Sequence, residues 1–262
     1  LWAHHDFIEL PNGDYGWPAF DLYDSLEVEG KGDIPVASET IFENPPTGGD
    51  ENNPTEVYNY IESYEPVFLT CNHSSLDAFV PGYYEWVHIN SLAYVDSEDS
   101  YYVMSRWLDS VQKINRATGT QEWQINGKFG SFTNPDGSNP WRSLGDTDLW
   151  SHGHMSQVWA DGMLIFDNGD HRTEEVSRVV EYAIDESTQT IEEVWEYVHP
   201  NEQFSLLLGD ARRLENGNTL IAWSGFGTVQ EVTPAGETAW QLQTGVGAVV
   251  SRLTWIDDLY AR

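Results

Sequence analysis

Residues 209–220 read GDARRLENGNTL, and residues 5–15, near the start of the chain, read HDFIELPNGDY. Both stretches carry Asp directly after their first residue, Leu five places after it, and Asn-Gly seven and eight places after it. Asn and Gly accept the positive φ angles that a type I′ turn between two antiparallel strands requires. Each stretch therefore predicts a β-hairpin, and their agreement indicates an internal repeat.

Two further copies of this repeat start at His88 and His154. The copy at His154 places the Asp-Gly pair 161–162 in the turn, whereas the copy at His88 continues with Val95-Asp96 and a polar turn to Ser100. Apolar second strands are then predicted over residues 101–105, 163–166 and 219–223. Third and fourth strands follow in three of the four units, each pair ending in Trp, over 110–114 with 120–123, 178–182 with 191–195, and 228–232 with 237–240.

Four antiparallel strands repeated along a chain are typical of the blades of a β-propeller, although unrelated hairpins of a β-sandwich would give a similar pattern. The repeats are further apart than the roughly 40–45 residues of a minimal blade. The excess is accounted for by two predicted loops, about 43–56 and 130–148. We expect one all-β propeller domain over residues 1–262, with about four blades in this chain and one or two more preceding the first repeat.

The composition is strongly acidic, with 43 Asp and Glu against 12 Lys and Arg and a formal net charge of −31. Such a surface repels nucleic acid and anionic membranes, and it suits high salt, where self-repulsion is screened. Cys71 is the only cysteine, so the chain can form no intramolecular disulfide. The sequence contains no apolar run of about 18 residues, as a membrane-spanning helix would need. No signal peptide is visible, and because the chain opens with Leu1 and not Met we expect a processed, trimmed or partial chain from which an upstream targeting segment could have been lost.

Three of the four repeats start with His, namely His5, His88 and His154, whereas the fourth starts with Gly209. Equivalent positions on the innermost strands of a propeller point around one central channel, so these imidazoles are predicted to converge there. Converging imidazoles can bind metal, transfer protons or act as nucleophiles.

Three neighbouring residues strengthen this prediction. Asn90 lies two residues after His88, and alternate residues of a strand face the same way. His152 has the same spacing from His154, so both could face one side. Arg106 follows the strand 101–105 near the expected channel mouth, and its guanidinium would suit a sulfate or phosphate ester unless a surface carboxylate pairs with it.

Together these segments resemble arylsulfotransferases of the histidine-dependent kind that do not use the nucleotide sulfate donor PAPS. The resemblance extends from about residue 1 to Tyr260. The matching segments are His4-His5-Asp6 before Leu10-Pro11-Asn12-Gly13, Trp86-x-His88-x-Asn90-Ser91 before Ser105-Arg106, His154 before Phe166-Asp167-Asn168-Gly169, and Ser177-Arg178 before Val194-Trp195-Glu196-Tyr197.

The resemblance implies a six-bladed propeller whose channel moves a sulfuryl group from a phenolic sulfate ester to a phenol acceptor. His154, favoured over His152 by its register with the Asp-Gly turn, is expected to carry the sulfuryl group. The expected anion-binding and acid–base residues are His5, His88 and Arg106, and the expected substrate-binding residues are Asn90, His152 and His4. The resemblance implies no cofactor and no metal, and a periplasmic or extracellular location.

Two other functions fit the same histidines. A metal-dependent hydrolase or lyase would use the histidine cluster with further carboxylate or His ligands and an activated water. A propeller that binds a ligand without catalysis is the alternative outside enzymes. Histidine at three repeat starts argues against it, because a scaffold would tolerate other residues there.

Overall fold

The computed structural model describes residues 2–45, 54–66, 80–130, 138, 140–145, 148–245 and 249–254. These residues form four antiparallel-dominated β-sheets that follow one another along the chain. The prediction of an all-β propeller fold with about four blades is therefore confirmed. No helix in the described ranges is long and apolar enough to cross a membrane.

The first sheet differs most from the repeat plan, because its two central strands are a long hairpin of 14 and 13 residues. The repeat turn of residues 10–14 lies beside this hairpin and not at its tip. The sheet contains β1 (Trp2–Ala3), β2 (Ile8–Glu9), β3 (Tyr15–Val28), β4 (Gly32–Asn44), β5 (Thr55–Asn59) and β6 (Tyr84–Glu85), with the short helix α1 (Tyr60–Ser63) after β5.

The other three sheets follow the predicted four-strand meander. The second contains β7 (Ile89–Val95), β8 (Ser100–Ser105), β9 (Ser110–Asn115) and β10 (Thr120–Asn126). The third contains β11 (Arg142–Leu144), β12 (His154–Trp159), β13 (Gly162–Asp167), β14 (Arg178–Asp185) and β15 (Thr190–Val198). The fourth contains β16 (Asp210–Arg213), β17 (Thr219–Trp223), β18 (Thr228–Val232) and β19 (Thr238–Gln243).

Apolar side chains fill the spaces between successive sheets. One cluster, including Val36 and Val103, lies between the first and second sheets. A second, including Met104 and Val180, lies between the second and third, and a third, including Phe166 and Ile221, lies between the third and fourth. Burial of apolar area drives this packing of one sheet on the next. As a result, the inner strands of successive sheets contact one another in the order β2, β7, β12 and β16.

The predicted type I′ turns are wrong. In the hairpins at residues 10–14 and 214–218 only the glycines, Gly13 and Gly217, have positive φ, at 85° each. A type I′ turn needs positive φ at both central residues. Instead each glycine N–H donates to the Leu carbonyl, and the Leu N–H donates to the residue after the glycine, which gives a longer loop with a glycine bulge.

The predicted loops are partly corrected. Residues 142–144 within the predicted loop 130–148 form β11, which pairs parallel with β15. The ends of the predicted loop 43–56 belong to β4 and β5. Within these two loops, residues 46–53, 131–137, 139 and 146–147 lie outside the described residues, as does Cys71.

Candidate active site

Three imidazoles meet at the inner edge of the sheets. The ring centroid of His5 lies 4.8 Å from that of His88 and 5.9 Å from that of His154. We call these three residues the first histidine group. Only His154 belongs to a strand, because β7 starts one residue after His88 and His5 lies in a bend. The expectation that all three stand on strands is therefore wrong, although the structure does bring them together.

The backbone reaches this position through strain at two of the three histidines. His5 has a φ of 57° and His88 a φ of 55°, both in the left-handed region. Non-glycine residues in this region cost free energy and persist where the surrounding structure fixes them, often at functional sites.

His154 is buried and held in one orientation. Its Nδ1 lies 2.9 Å from the carbonyl oxygen of Gly209. Because that carbonyl can only accept, Nδ1 carries the proton and Nε2 carries the lone pair in the neutral ring. Burial lowers the pKa of His154 to about 3, so the imidazole is neutral at pH 7. Among the described residues, Nε2 has no hydrogen-bond partner.

The fourth repeat starts with Gly209 for a reason that the structure makes plain. Its φ is 106°, and a Cβ at this position would collide with the ring of Phe166. A histidine at this position would collide with the Phe166 ring and shift the backbone of residue 209, whose carbonyl orients His154. Gly209, the one repeat start that is not histidine, thus allows the backbone carbonyl that orients His154 of the preceding sheet.

His88 is bound to a carboxylate that the sequence analysis missed. Nδ1 of His88 lies 2.6 Å from Oε1 of Glu85, and Oε2 of Glu85 accepts a hydrogen bond of 2.9 Å from the indole N–H of Trp107. Burial raises the pKa of Glu85, but His88 and these hydrogen bonds outweigh it and hold the pKa below its usual value. Glu85 is therefore an ionised carboxylate that positions the His88 ring.

His4 links His5 to a second buried carboxylate. The Nδ1 atoms of His4 and His5 are 2.7 Å apart, and Nε2 of His4 lies 2.9 Å from Oε1 of Glu39. The His4 ring also stacks on Phe20 at 4.1 Å. Burial, followed by the charges of the neighbouring histidines, lowers the pKa of His5 far below its usual value. His4 therefore positions His5, which is a neutral base.

Asn90 and Arg106 connect the second sheet to the segment before β12. Asn90 Nδ2 donates to the carbonyl of Gly153 at 2.8 Å. Arg106 is fully buried, and Nη1 donates to the carbonyl of His152 at 2.7 Å, while Nη2 lies 3.1 Å from Oδ2 of Asp170. The partner of Arg106 is therefore a buried carboxylate, not a surface one.

His152 lies in a different set of rings from His154. His152 has a φ of 52° and lies two residues before β12 begins. The alternation of side chains along a strand therefore does not place His152 and His154 on one side. The His152 ring stacks on Phe129 at 5.9 Å and meets His171 at 5.2 Å. We call His152, His171 and Phe129 the second histidine group. Burial lowers the pKa of His152 to about 4, and its Nδ1 donates to the carbonyl of Arg106.

The sequence analysis also missed Arg252. Nη1 of this residue donates to the carbonyl of His5 at 3.2 Å, and Nη2 lies 2.5 Å from Oδ1 of Asp6. No repeat position predicts this contact, because it joins residues at opposite ends of the described chain. Glu85 was within reach of sequence reasoning, since it precedes His88 by only three residues.

One group of potential metal ligands lies outside the first histidine group. In the ranges that the structure describes, the ligand atoms close enough to share one ion belong to Asp170, His171 and Glu175. Asp170 is already paired with Arg106, which weakens its charge toward a cation.

A cluster of three histidines at the inner edge of successive antiparallel β-sheets fits the active site of a propeller enzyme. The Arylsulfotransferase (ASST) family matches residues 1–246, so the chain belongs to this family. The arylsulfate sulfotransferase AssT of Escherichia coli O6:H1 (strain CFT073) is 32% identical over 136 residues. That match covers 43% of this chain and 23% of the relative, so the chain spans less than a quarter of that protein's length in the match.

Two solved structures are similar at the level of the chain trace. Virginiamycin B lyase from Staphylococcus aureus matches with a TM-score of 0.41 at 10% identity, covering 88% of this chain and 61% of that one. Saccharomyces cerevisiae Sqt1 matches with a TM-score of 0.39 at 10% identity, covering 86% of this chain and 50% of that one.

Proposed function

We propose that this protein transfers a sulfuryl group from a phenolic sulfate ester to a phenolic acceptor, without PAPS, through a covalent sulfohistidine on His154. The observation that carries the proposal is the orientation of His154. Its Nδ1 is fixed on the Gly209 carbonyl, and its buried Nε2 has no hydrogen-bond partner among the described residues. A neutral imidazole with a directed lone pair is a good nucleophile.

The first half-reaction forms a nitrogen–sulfur bond. The lone pair of His154 Nε2 attacks the sulfur of the donor ester, and the bond between sulfur and the aryl oxygen breaks. The aryl oxygen leaves with the electron pair as a phenolate, which takes a proton. His88, whose ring lies beside that of His5 and is held by the ionised Glu85, supplies that proton.

The second half-reaction reverses these roles. The acceptor phenol loses its proton to His88 as its oxygen attacks the sulfur, and the nitrogen–sulfur bond breaks to return the lone pair to His154. Transfer of this kind spreads negative charge over the equatorial oxygens, so positioned donors and cations supply most of the catalysis. His5, the Asn90 amide and the Arg106 charge are our candidates for this role.

The test is mass spectrometry of the protein in its complete natural length, incubated with 4-nitrophenyl sulfate and no acceptor. We expect His154 to gain about 80 Da, the mass of SO₃, and to lose it when phenol is added. His171→Ala is the matched control, because it removes a histidine outside the first histidine group and should still show the added mass. Full turnover by an enzyme whose histidines never carry the added mass would exclude the covalent mechanism.

Metal-dependent hydrolysis is a second candidate, supported by the closeness of Asp170, His171 and Glu175. It predicts a stoichiometric metal ion in the purified protein and loss of that ion in Glu175→Gln. Elemental analysis of both proteins distinguishes this function from sulfuryl transfer.

We also propose that the protein acts outside the cytoplasm, in the periplasm or the extracellular medium. The support is its family and its net charge of −31, which suits a salty exterior. Fractionation of the native host, followed by detection of the mature N-terminus, tests this location.

A further inference from the structure

A cavity of about 450 Å³ opens beside His5. Its volume falls in the range of about 300–1,000 Å³ that is usual for small-molecule sites. None of the catalytic roles proposed above uses the aromatic and cationic residues of this cavity. It is lined by Ala3, His4, His5, Asp6, Phe7, Trp17 and Arg252.

One wall of this cavity is aromatic. The Phe7 side chain is 59% exposed, although its ring stacks on Tyr15 at 4.6 Å. Trp17 is half-buried and packs on Phe42 at 5.2 Å. Both rings are thus braced from behind while they border the cavity. Aromatic faces held in this way bind another ring by stacking, and leaving them in water carries a hydrophobic cost.

The other wall carries a cation. Arg252 is fixed by Asp6 and by the His5 carbonyl, yet one third of its side chain is exposed. A guanidinium has five N–H donors, so two such contacts leave donors that can face a ligand. The chain has only 12 basic residues against 43 acidic ones, which makes a cation beside the histidines unusual.

We propose that this cavity is an entry subsite for aryl sulfates, in which Phe7 and Trp17 hold the ring and Arg252 holds the sulfate group. The assignment rests on the proposed sulfuryl transfer for its biological meaning, but it makes a separate claim about binding. The Arg252 guanidinium touches His5, whose ring lies 5.9 Å from that of His154, so the subsite adjoins the nucleophile. The bidentate geometry of guanidinium suits a sulfate.

The binding test uses benzenesulfonate, whose carbon–sulfur bond prevents transfer, and methanesulfonate, which lacks the ring. Isothermal titration of the full-length protein should show benzenesulfonate binding that Arg252→Gln weakens by about tenfold or more. Phe7→Ala should weaken benzenesulfonate by about threefold to tenfold and leave methanesulfonate unchanged. Arg252→Lys should bind benzenesulfonate with an affinity between those of the native protein and Arg252→Gln, because it keeps the charge but loses the bidentate guanidinium.

Two exposed residues on other sheets serve as matched controls. Arg142→Gln removes an exposed arginine on β11, and Phe226→Ala removes a phenylalanine that is 41% exposed beside β18. Neither should change the affinity for benzenesulfonate. No measurable binding, or equal binding by Arg252→Gln and Arg142→Gln at equal thermal stability, would overturn the subsite.

The subsite and the covalent mechanism fail independently. His154→Ala should bind benzenesulfonate as tightly as the unmodified protein, because the cavity lining does not include His154. If the variants of Phe7 and Arg252 lose binding while no sulfohistidine ever forms, the subsite is supported and the covalent mechanism is not. If sulfohistidine forms but Arg252→Gln and Phe7→Ala bind normally, the subsite is wrong.

Discussion

The first and second histidine groups contain imidazoles that are alike in burial and charge but unlike in surroundings. His154 and His152 are both buried, both donate through Nδ1 to a backbone carbonyl, and both have a lowered pKa. His154 faces two further repeat-start histidines, whereas His152 faces Phe129 and His171. Burial and a neutral ring therefore do not distinguish the proposed nucleophile from a packed histidine. The groups around each ring make the distinction.

The largest expected difference between the two groups is in sulfuryl transfer. His154→Ala should lower kcat for transfer from 4-nitrophenyl sulfate to phenol by at least about 10⁴-fold, because it removes the proposed nucleophile. The far-ultraviolet circular dichroism should stay that of the native fold. Transfer that continues at more than a tenth of the native rate would assign the nucleophile elsewhere.

Arg106 connects the two groups, and its removal should reduce stability as well as sulfuryl transfer. Arg106→Ala leaves Asp170 buried without its cation and leaves the His152 carbonyl without its donor. Breaking a buried pair in this way typically costs about 3–5 kcal/mol of unfolding free energy. Urea denaturation measures this cost, with the exposed Arg142→Ala as control. A loss no larger than that of the control would mean that solvent reaches the pair.

The loss of unfolding free energy at acid pH should be similar for His154 of the first group and His152 of the second. The folded-state pKa values, about 3 for His154 and about 4 for His152, lie below the unfolded value of 6.5. The unfolded chain therefore takes up protons first, so stability is complete above pH 6.5 and falls as the pH drops toward the folded pKa.

Between pH 7.5 and pH 5, each of these histidines should contribute about 2 kcal/mol to the loss of unfolding free energy. His154→Gln and His152→Gln should each reduce that loss by this amount, as measured by urea titrations at the two pH values. A reduction confined to one variant would show that the other ring is reached by water or already charged in the fold.

The repeat predicted the first histidine group because equivalent positions on successive sheets meet at the inner edge. The repeat did not predict the contacts that orient each imidazole ring. Glu39 and Arg252 reach the histidines from outside the repeat, at separations that no periodicity encodes, whereas Glu85 lies only three residues before His88. Strand alternation failed for His152 because its left-handed backbone lies before the strand begins. The turns were misassigned because Asn-Gly also fits a loop in which only the glycine has positive φ.

The smallest expected effect is that of His152→Ala on transfer, a loss of less than about tenfold in kcat/KM. The backbone N–H of residue 152 donates to Asp109, and its carbonyl accepts from Arg106, so alanine retains both contacts. What disappears is the ring that stacks on Phe129 and the hydrogen bond to the Arg106 carbonyl. These losses reduce packing, and they leave the orientation of His154 on Gly209 intact. Steady-state kinetics with 4-nitrophenyl sulfate and phenol, compared with His171→Ala, measure the effect. If His152→Ala were as inactive as His154→Ala while still folded, the two groups would form one site, and the assignment of the nucleophile by its surroundings would be wrong.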